Sequence, residues 1–254
     1  MSNQRDTIDL TDYFRELNGL FENTGFSCET IVKTAAGSVD MWTRIYAADA
    51  PTVYLSAGMH GDEPAGPLAI LALLRRKELA PVNWIICPML NPTGCAAYTR
   101  ENDRGIDQNR DYYERSSIEI FHHAAWWEKQ HRMPDLFLSL HEDWESSGFY
   151  FYEINLHEDY PAMAREMLAA VSPIVSIEPE IVVDDHQVRE PGWIFHEAEA
   201  DFPDLWPEAI FMAKLGCPLS FTLETPSLAR TLDQRISAHL AAIDVATSLA
   251  FKGV

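Results

Sequence analysis

Long apolar runs are missing from this sequence. No stretch approaches the ~18 consecutive apolar residues that a membrane-spanning helix needs. The start, Met1-Ser2-Asn3-Gln4-Arg5-Asp6, is polar and carries no apolar signal core. Cysteine is scarce: Cys28, Cys87, Cys95 and Cys217 lie far apart, with no CxxC pair. That argues against a disulfide framework and against a thiolate zinc site. Basic residues are few, 19 against 39 acidic, for a formal net charge of −20. A surface this acidic repels phosphate backbones and anionic lipid, so neither a nucleic-acid nor a membrane partner is expected. Internal repeats, low-complexity tracts and Gly/Ser linkers are absent as well. The expectation is a cytoplasmic protein with a single domain over residues 1–254. A chain of this length buries roughly 75% of its unfolded surface, so its core needs no covalent staples.

What is present is an alternation of helix-like and strand-like segments. Leu10, Tyr13, Phe14, Leu17, Leu20 and Phe21 recur at spacings of three and four, which predicts an amphipathic helix over 10–23. Two alternating runs, 28–34 and 38–46, flank Ala35-Ala36-Gly37 and predict a hairpin. Thr52 to Ser56 reads as a buried strand, and a helix starts near Pro64 and ends in Arg75-Arg76-Lys77. Val82 to Cys87 is a strand, followed by a turn signal at Asn91-Pro92-Thr93-Gly94. Residues 98–115 are polar and read as a long ordered loop. Ser116 and Glu119 predict a capping box that opens a helix to about Arg132. Strands follow at Asp135–Leu140 and Phe149–Ile154, a helix at 160–171 and a strand near 181–183. Residues 186–206 read as a second long loop. The rest is a helix at 207–215, a strand at Leu219–Leu223 and a final helix from Thr231 to about Phe251. Such alternation implies an α/β layered sheet.

Three polar residues stand just past apolar strands: His60, His141 and Glu224. Ligands of open α/β sheets bind at that edge, so residues far apart in sequence can meet there. His60 and Glu63, three residues apart, offer two of the donor types that zinc accepts, and His141 would complete a His₂Glu set. Zinc bound this way keeps a position open and lowers the pKa of water there toward ~7. Glu224 is placed to take up and return the proton. A guanidinium stabilises the oxyanion of amide hydrolysis, and Arg100, Arg104 and Arg110 all lie in the polar loop.

Six elements occur in order over roughly residues 50–230. They are His60-x-x-Glu63, Asn91-Pro92-x-Gly94, Arg100, Gly105-Ile106-Asp107-Gln108-Asn109-Arg110, His141 and Glu224-Thr225-Pro226. Together they resemble the zinc carboxypeptidase family. The nearer likeness is to its bacterial murein-peptide carboxypeptidases and its succinylglutamate desuccinylase/aspartoacylase relatives. The resemblance implies a mixed, mostly parallel twisted sheet flanked by helices on both faces. It implies one zinc ion held by His60, Glu63 and His141, with Glu224 as base and then acid. By the same likeness Arg100 polarises the scissile carbonyl, Asn109 and Arg110 grip the substrate's terminal carboxylate, and Asp107 orients a ligand histidine. The partner implied is a small peptide or acyl-amino acid with a free carboxylate.

The chain departs from that pattern in places. Digestive members carry a tyrosine on a mobile loop ahead of the catalytic glutamate, and no tyrosine follows Tyr160 here. Trp193, His196 and the aromatics of Phe149-Tyr150-Phe151-Tyr152 are the candidates to cover the site instead. The family's Asn-Pro-Asp-Gly is Asn-Pro-Thr-Gly, and Gln108 follows Asp107. Well-characterised deacylases add a C-terminal β-rich domain, whereas one helix is expected after Glu224, which favours a peptidase over a deacylase. A zinc-binding protein without catalysis would need a lost base or a blocked site, and both Glu224 and Arg100 are present.

Plainer readings compete for several residues. His60 and Glu63 alone suit a loop that satisfies backbone donors, and His141 alone suits a strand-end histidine. Arg100 and Arg110 also fit structural ion pairs, and Asp107 also fits a turn cap. His122-His123 reads as a surface or partly buried pair, because adjacent helical residues diverge. Trp126-Trp127 reads as core packing. Asp184-Asp185-His186 reads as a solvated strand end in preference to an ion site. The acidic runs at 142–145 and 197–204 read as solvated faces.

Overall fold

The structure, a computed structural model, describes residues 6–76, 78–157 and 161–250. Helix α1 (Leu10–Asn23) is capped by Asp9, whose carboxylate accepts from the Asp12 N–H, and it buries Tyr13, Leu17 and Phe21. Strands β1 (Ser27–Lys33) and β2 (Ser38–Arg44) form the expected hairpin. Strand β3 (Thr52–Ala57) leads through the His60 segment into α2 (Ala65–Arg75), and β4 (Asn83–Cys87) follows. Then come α3 (Pro92–Ala97), α4 (Ile118–Trp127), β5 (Leu136–Asp143), β6 (Tyr150–Asn155) and α5 (Pro161–Val171). Strands β7 (Val182–Val183), β8 (His186–Gln187) and β9 (Trp193–Phe195) precede α6 (Glu208–Lys214), β10 (Leu219–Pro226) and α7 (Leu232–Leu249). Lys77, residue 160 and Phe251, expected at helix ends, lie outside the described residues.

Among the described residues, eight strands form one mixed sheet in the order β1-β2-β4-β3-β5-β10-β6-β9. Its centre, from β4 to β10, is parallel. Side chains alternate across the sheet and so feed two cores. Val53, Leu55, Leu136, Leu138 and Leu140 pack in one core with α1, α2, α5 and α7. Tyr54 and Phe137 pack in the other with α4 and α6. Helices therefore cover both faces, as the likeness implied. No helix among the described residues is long and apolar enough to cross a membrane.

Several local expectations need correction. Asn91-Pro92-Thr93-Gly94 is not an open turn; Asn91 caps α3 by accepting from the Gly94 N–H at 2.8 Å. Ser117, not Ser116, caps α4, because Asp111 holds the backbone N–H of both serines. That helix ends at Trp127, and the Gln130 side chain donates back to Trp126 O. His141 and Glu224 lie inside their strands, since β5 and β10 pair in parallel as far as Asp143 and Pro226. The loop at 186–206 contains β8 and β9, and β9 forms the sheet edge beside β6. Three residues are too few for alternation to reveal.

His123 is fully buried, not at the surface. Trp127 Nε1 only donates, so His123 Nε2 accepts, and its Nδ1–H faces the Tyr112 hydroxyl at 2.9 Å. Tyr54 joins His123 to Glu208, whose carboxyl also accepts from Ser56 at 2.8 Å. Burial pushes the Glu208 carboxyl up to about 7 and His123 down to about 3. A carboxyl with a raised folded value stabilises fully below its unfolded value. That contribution is lost as pH rises through about 7. Glu208→Gln is therefore expected to melt with a smaller loss of Tm between about pH 5 and about pH 8 than the wild type shows. Equal losses in calorimetry would refute a buried, protonated Glu208.

Candidate metal centre and its cavity

The His60 segment is wedged against the start of α3. A Cβ at Gly61 would lie 1.9 Å from the Gly94 carbonyl carbon, so only glycine fits there. The Gly61 N–H also donates to Thr99 O at 2.9 Å. These contacts aim His60 and Glu63 at the C-terminal end of β5, where His141 projects.

The three side chains meet. His60 Nδ1 lies 2.6 Å from Glu63 Oε1, and His141 Nδ1 lies 2.9 Å from Glu63 Oε2. All three are buried, and their ligating atoms lie within 4.8 Å of one another. His60 Nε2 donates to Asp107 Oδ1 at 3.2 Å, which leaves Nδ1 as the nitrogen facing Glu63. Two imidazoles and a carboxylate, converging with one outer N–H anchored, suit a divalent ion of the zinc type. Burial pushes His141 below the usual imidazole value, toward the neutral form that ligates metal. Burial works against the Glu63 charge, but His60 and His141 outweigh it and hold the carboxyl below the usual range. Asp107 is likewise held low despite burial, by His60 and Arg100.

Glu224 sits beside this cluster. It registers against His141 on β5 and Tyr150 on β6, so the three stand in one row across the sheet. Burial, then the charges of Glu63 and Asp143, push its carboxyl well above the usual range. Arg100 Nε donates to Asp107 Oδ2 at 2.9 Å, and its Nη1 lies 3.8 Å from Glu63 Oε1. A cavity of about 520 Å³ opens over the row and is lined by His60, Glu63, Arg100, Asn109, Arg110 and Glu224. That volume falls within the usual range for small-molecule sites. Asn109 Oδ1 accepts from the Glu208 N–H at 3.0 Å, and Arg110 Nη1 donates to Asn109 O at 2.8 Å.

Other expected residues fall elsewhere. Trp193 is fully buried in the core under β9 and does not cover the cavity. Phe149 and Phe151 are core as well, while Tyr150, Tyr152 and His196 face the cavity. Arg104 donates to Ser116 O and ties the polar loop together. Asp62 lines the cavity without joining the His60, Glu63 and His141 cluster. Asp107 also accepts from the Asn109 N–H, so it caps a turn and contacts a histidine at once. The roles of Tyr150 and Tyr152 as cavity wall were legible only as alternation on their strand, since the register that sets them beside Glu224 and Thr222 belongs to the fold.

Comparison with known proteins places this geometry in context. Residues 49–240 match the succinylglutamate desuccinylase/aspartoacylase catalytic domain. A candidate metallopeptidase of Shewanella denitrificans OS217 superposes with a TM-score of 0.80 at 25% identity, over 94% of this chain and 89% of that one. Another, from Shewanella amazonensis SB2B, also gives 0.80 at 25% identity, over 95% and 93%. Bovine thrombin-activatable fibrinolysis inhibitor gives 0.68 over 98% and 99%, and at 14% identity it shows a shared fold alone. A comparison with curated protein sequences finds no match.

Proposed function

Because the chain belongs to the succinylglutamate desuccinylase/aspartoacylase catalytic-domain family and has a metallocarboxypeptidase-like fold, we propose that it is a zinc-dependent metallocarboxypeptidase cleaving the C-terminal amide bond of a peptide. The observation that carries this reading is the meeting of His60, Glu63 and His141 beside Glu224 in a cavity that also presents Arg100 and Arg110. When bound there, zinc supplies a Lewis acid and makes water acidic at an open coordination position.

The chain's own groups do the rest. Glu224 takes a proton from the attacking water and delivers it to the leaving amine. Arg100, anchored by Asp107 through Nε and with Nη1 turned toward His60 and Glu63, offers Nη2 to the oxyanion that develops on the scissile carbonyl. Arg110 and the Asn109 amide bind the terminal carboxylate, a task suited to a planar donor fork. Glu208 fixes the Asn109 amide by occupying its oxygen. Asp107→Ala frees both His60 and Arg100, so zinc affinity is expected to fall about 10–100-fold. Competition with a chromogenic chelator measures this, and unchanged affinity would remove Asp107 from the site.

The family match favours a second reading, an N-acyl amino acid deacylase that uses the same groups. A side-by-side assay of zinc-loaded protein decides between them. Faster cleavage of short peptides is expected, and faster cleavage of N-acyl amino acids would replace the peptidase reading.

A further inference from the structure

A second cluster of side chains able to ligate a metal lies in the wall of the same cavity. We propose that His186, His196 and Asp201 bind a second divalent ion of the zinc type.

The backbone sets up two of the three donors. Asp184 and Asp185 adopt left-handed φ values of 48° and 64°, which closes the β7–β8 hairpin in a two-residue turn. His186 is thereby held opposite Val183. His196 directly follows β9, and its backbone N–H donates to Glu153 O at 2.8 Å. Tyr152 packs edge-on against both imidazoles, with ring centroids 5.7 and 6.2 Å away, and its hydroxyl donates to Asp184.

The two imidazoles then meet on the Asp201 carboxylate. His186 Nε2 lies 3.4 Å from Asp201 Oδ2, and His196 Nε2 lies 3.4 Å from Asp201 Oδ1. An ion pair bonded through a proton would be shorter, about 2.7–2.9 Å. Tetrahedral ligands at 2.0–2.1 Å from zinc stand about 3.4 Å apart, which matches each histidine–Asp201 separation, and the three donors lie within 4.8 Å of one another. His196 Nδ1 lies 2.6 Å from Glu197 O. A carbonyl only accepts, so Nδ1 carries the hydrogen, which leaves Nε2 as the nitrogen that faces Asp201. Anchoring the outer N–H on a carbonyl is how metal-bound histidines are oriented. Two imidazoles and one carboxylate favour a zinc-type ion over magnesium or calcium. Asp201 is 54% exposed, so this ion binds more weakly than one at the buried His60 cluster.

Zinc titration of the chelator-stripped full chain by calorimetry tests the proposal. Two ions per chain are expected for the wild type, and one each for His186→Ala/His196→Ala and His60→Ala/His141→Ala. Asp201→Asn, at an exposed position, is expected to weaken the second ion about 10-fold and leave the first unchanged. Wild-type stoichiometry in His186→Ala/His196→Ala would overturn the proposal. So would a His60→Ala/His141→Ala chain that is folded by circular dichroism and binds no zinc, a result that leaves the catalytic reading standing.

Discussion

Glu224→Gln is expected to lower kcat by about 10²–10⁴-fold, the usual contribution of a general acid–base group. The substitution keeps size and shape and removes only the ionisable oxygen. Glu224 stands outside the His60, Glu63 and His141 cluster, so zinc stoichiometry should not change. Stability should not fall either. Burial and the charges of Glu63 and Asp143 already oppose ionisation of Glu224, and a neutral amide removes that conflict. Among the described residues no hydrogen bond ties its carboxylate to the protein, so the variant leaves no buried partner unsatisfied. Steady-state kinetics with parallel metal analysis separates the effects. A kcat within threefold of wild type, at full zinc occupancy, would end the assignment of Glu224 as the proton carrier.

The second large effect is on stability. Arg235→Met is expected to destabilise the protein by about 3–5 kcal/mol, the cost of stranding a buried charge. Glu142, next in sequence to His141, is buried, and its Oε1 accepts from the Ala65 N–H at 2.6 Å. Its Oε2 accepts from Arg235, which also reaches Asp6 at 2.5 Å. Burial pushes the Glu142 carboxyl up to about 7 even with Arg235 in place. Without the guanidinium the folded value rises further. The loss should therefore be largest above about pH 7 and shrink toward about pH 5, where Glu142 folds protonated. Urea unfolding at both values measures it. Glu142→Gln should restore part of the loss in the Arg235→Met background. A penalty under 1 kcal/mol, or one that does not vary with pH, would show that Arg235 acts through packing alone.

Glu142 also shows where the sequence stops being informative. In the string it belongs to an acidic run that reads as solvated, yet it is buried between α2 and α7. Its partner Arg235 lies 93 positions away, and only the packing of α7 against α2 and β10 brings them together. Glu208 and His123 were hidden in the same way. Each sits on a helix whose local pattern says nothing of a polar partner beneath the sheet. Trp193 misled in the opposite direction. A large aromatic in a polar loop suggested a cover for the site, but the loop hides a short edge strand that turns the ring into the core.

Local chemistry carried the rest. Period-four and period-two patterns, with Pro and Gly punctuation, determined most elements, because burial of one face acts residue by residue along the chain. Spacing determined the His60–Glu63 pair, since three residues on one turn meet without help from elsewhere. The tertiary structure decided three things: that His141 and Glu224 share a row, that Arg100 is tethered by Asp107, and that His186, His196 and Asp201 converge. All three depend on strand register and loop docking, which arise from contacts between distant segments and leave no period in the sequence.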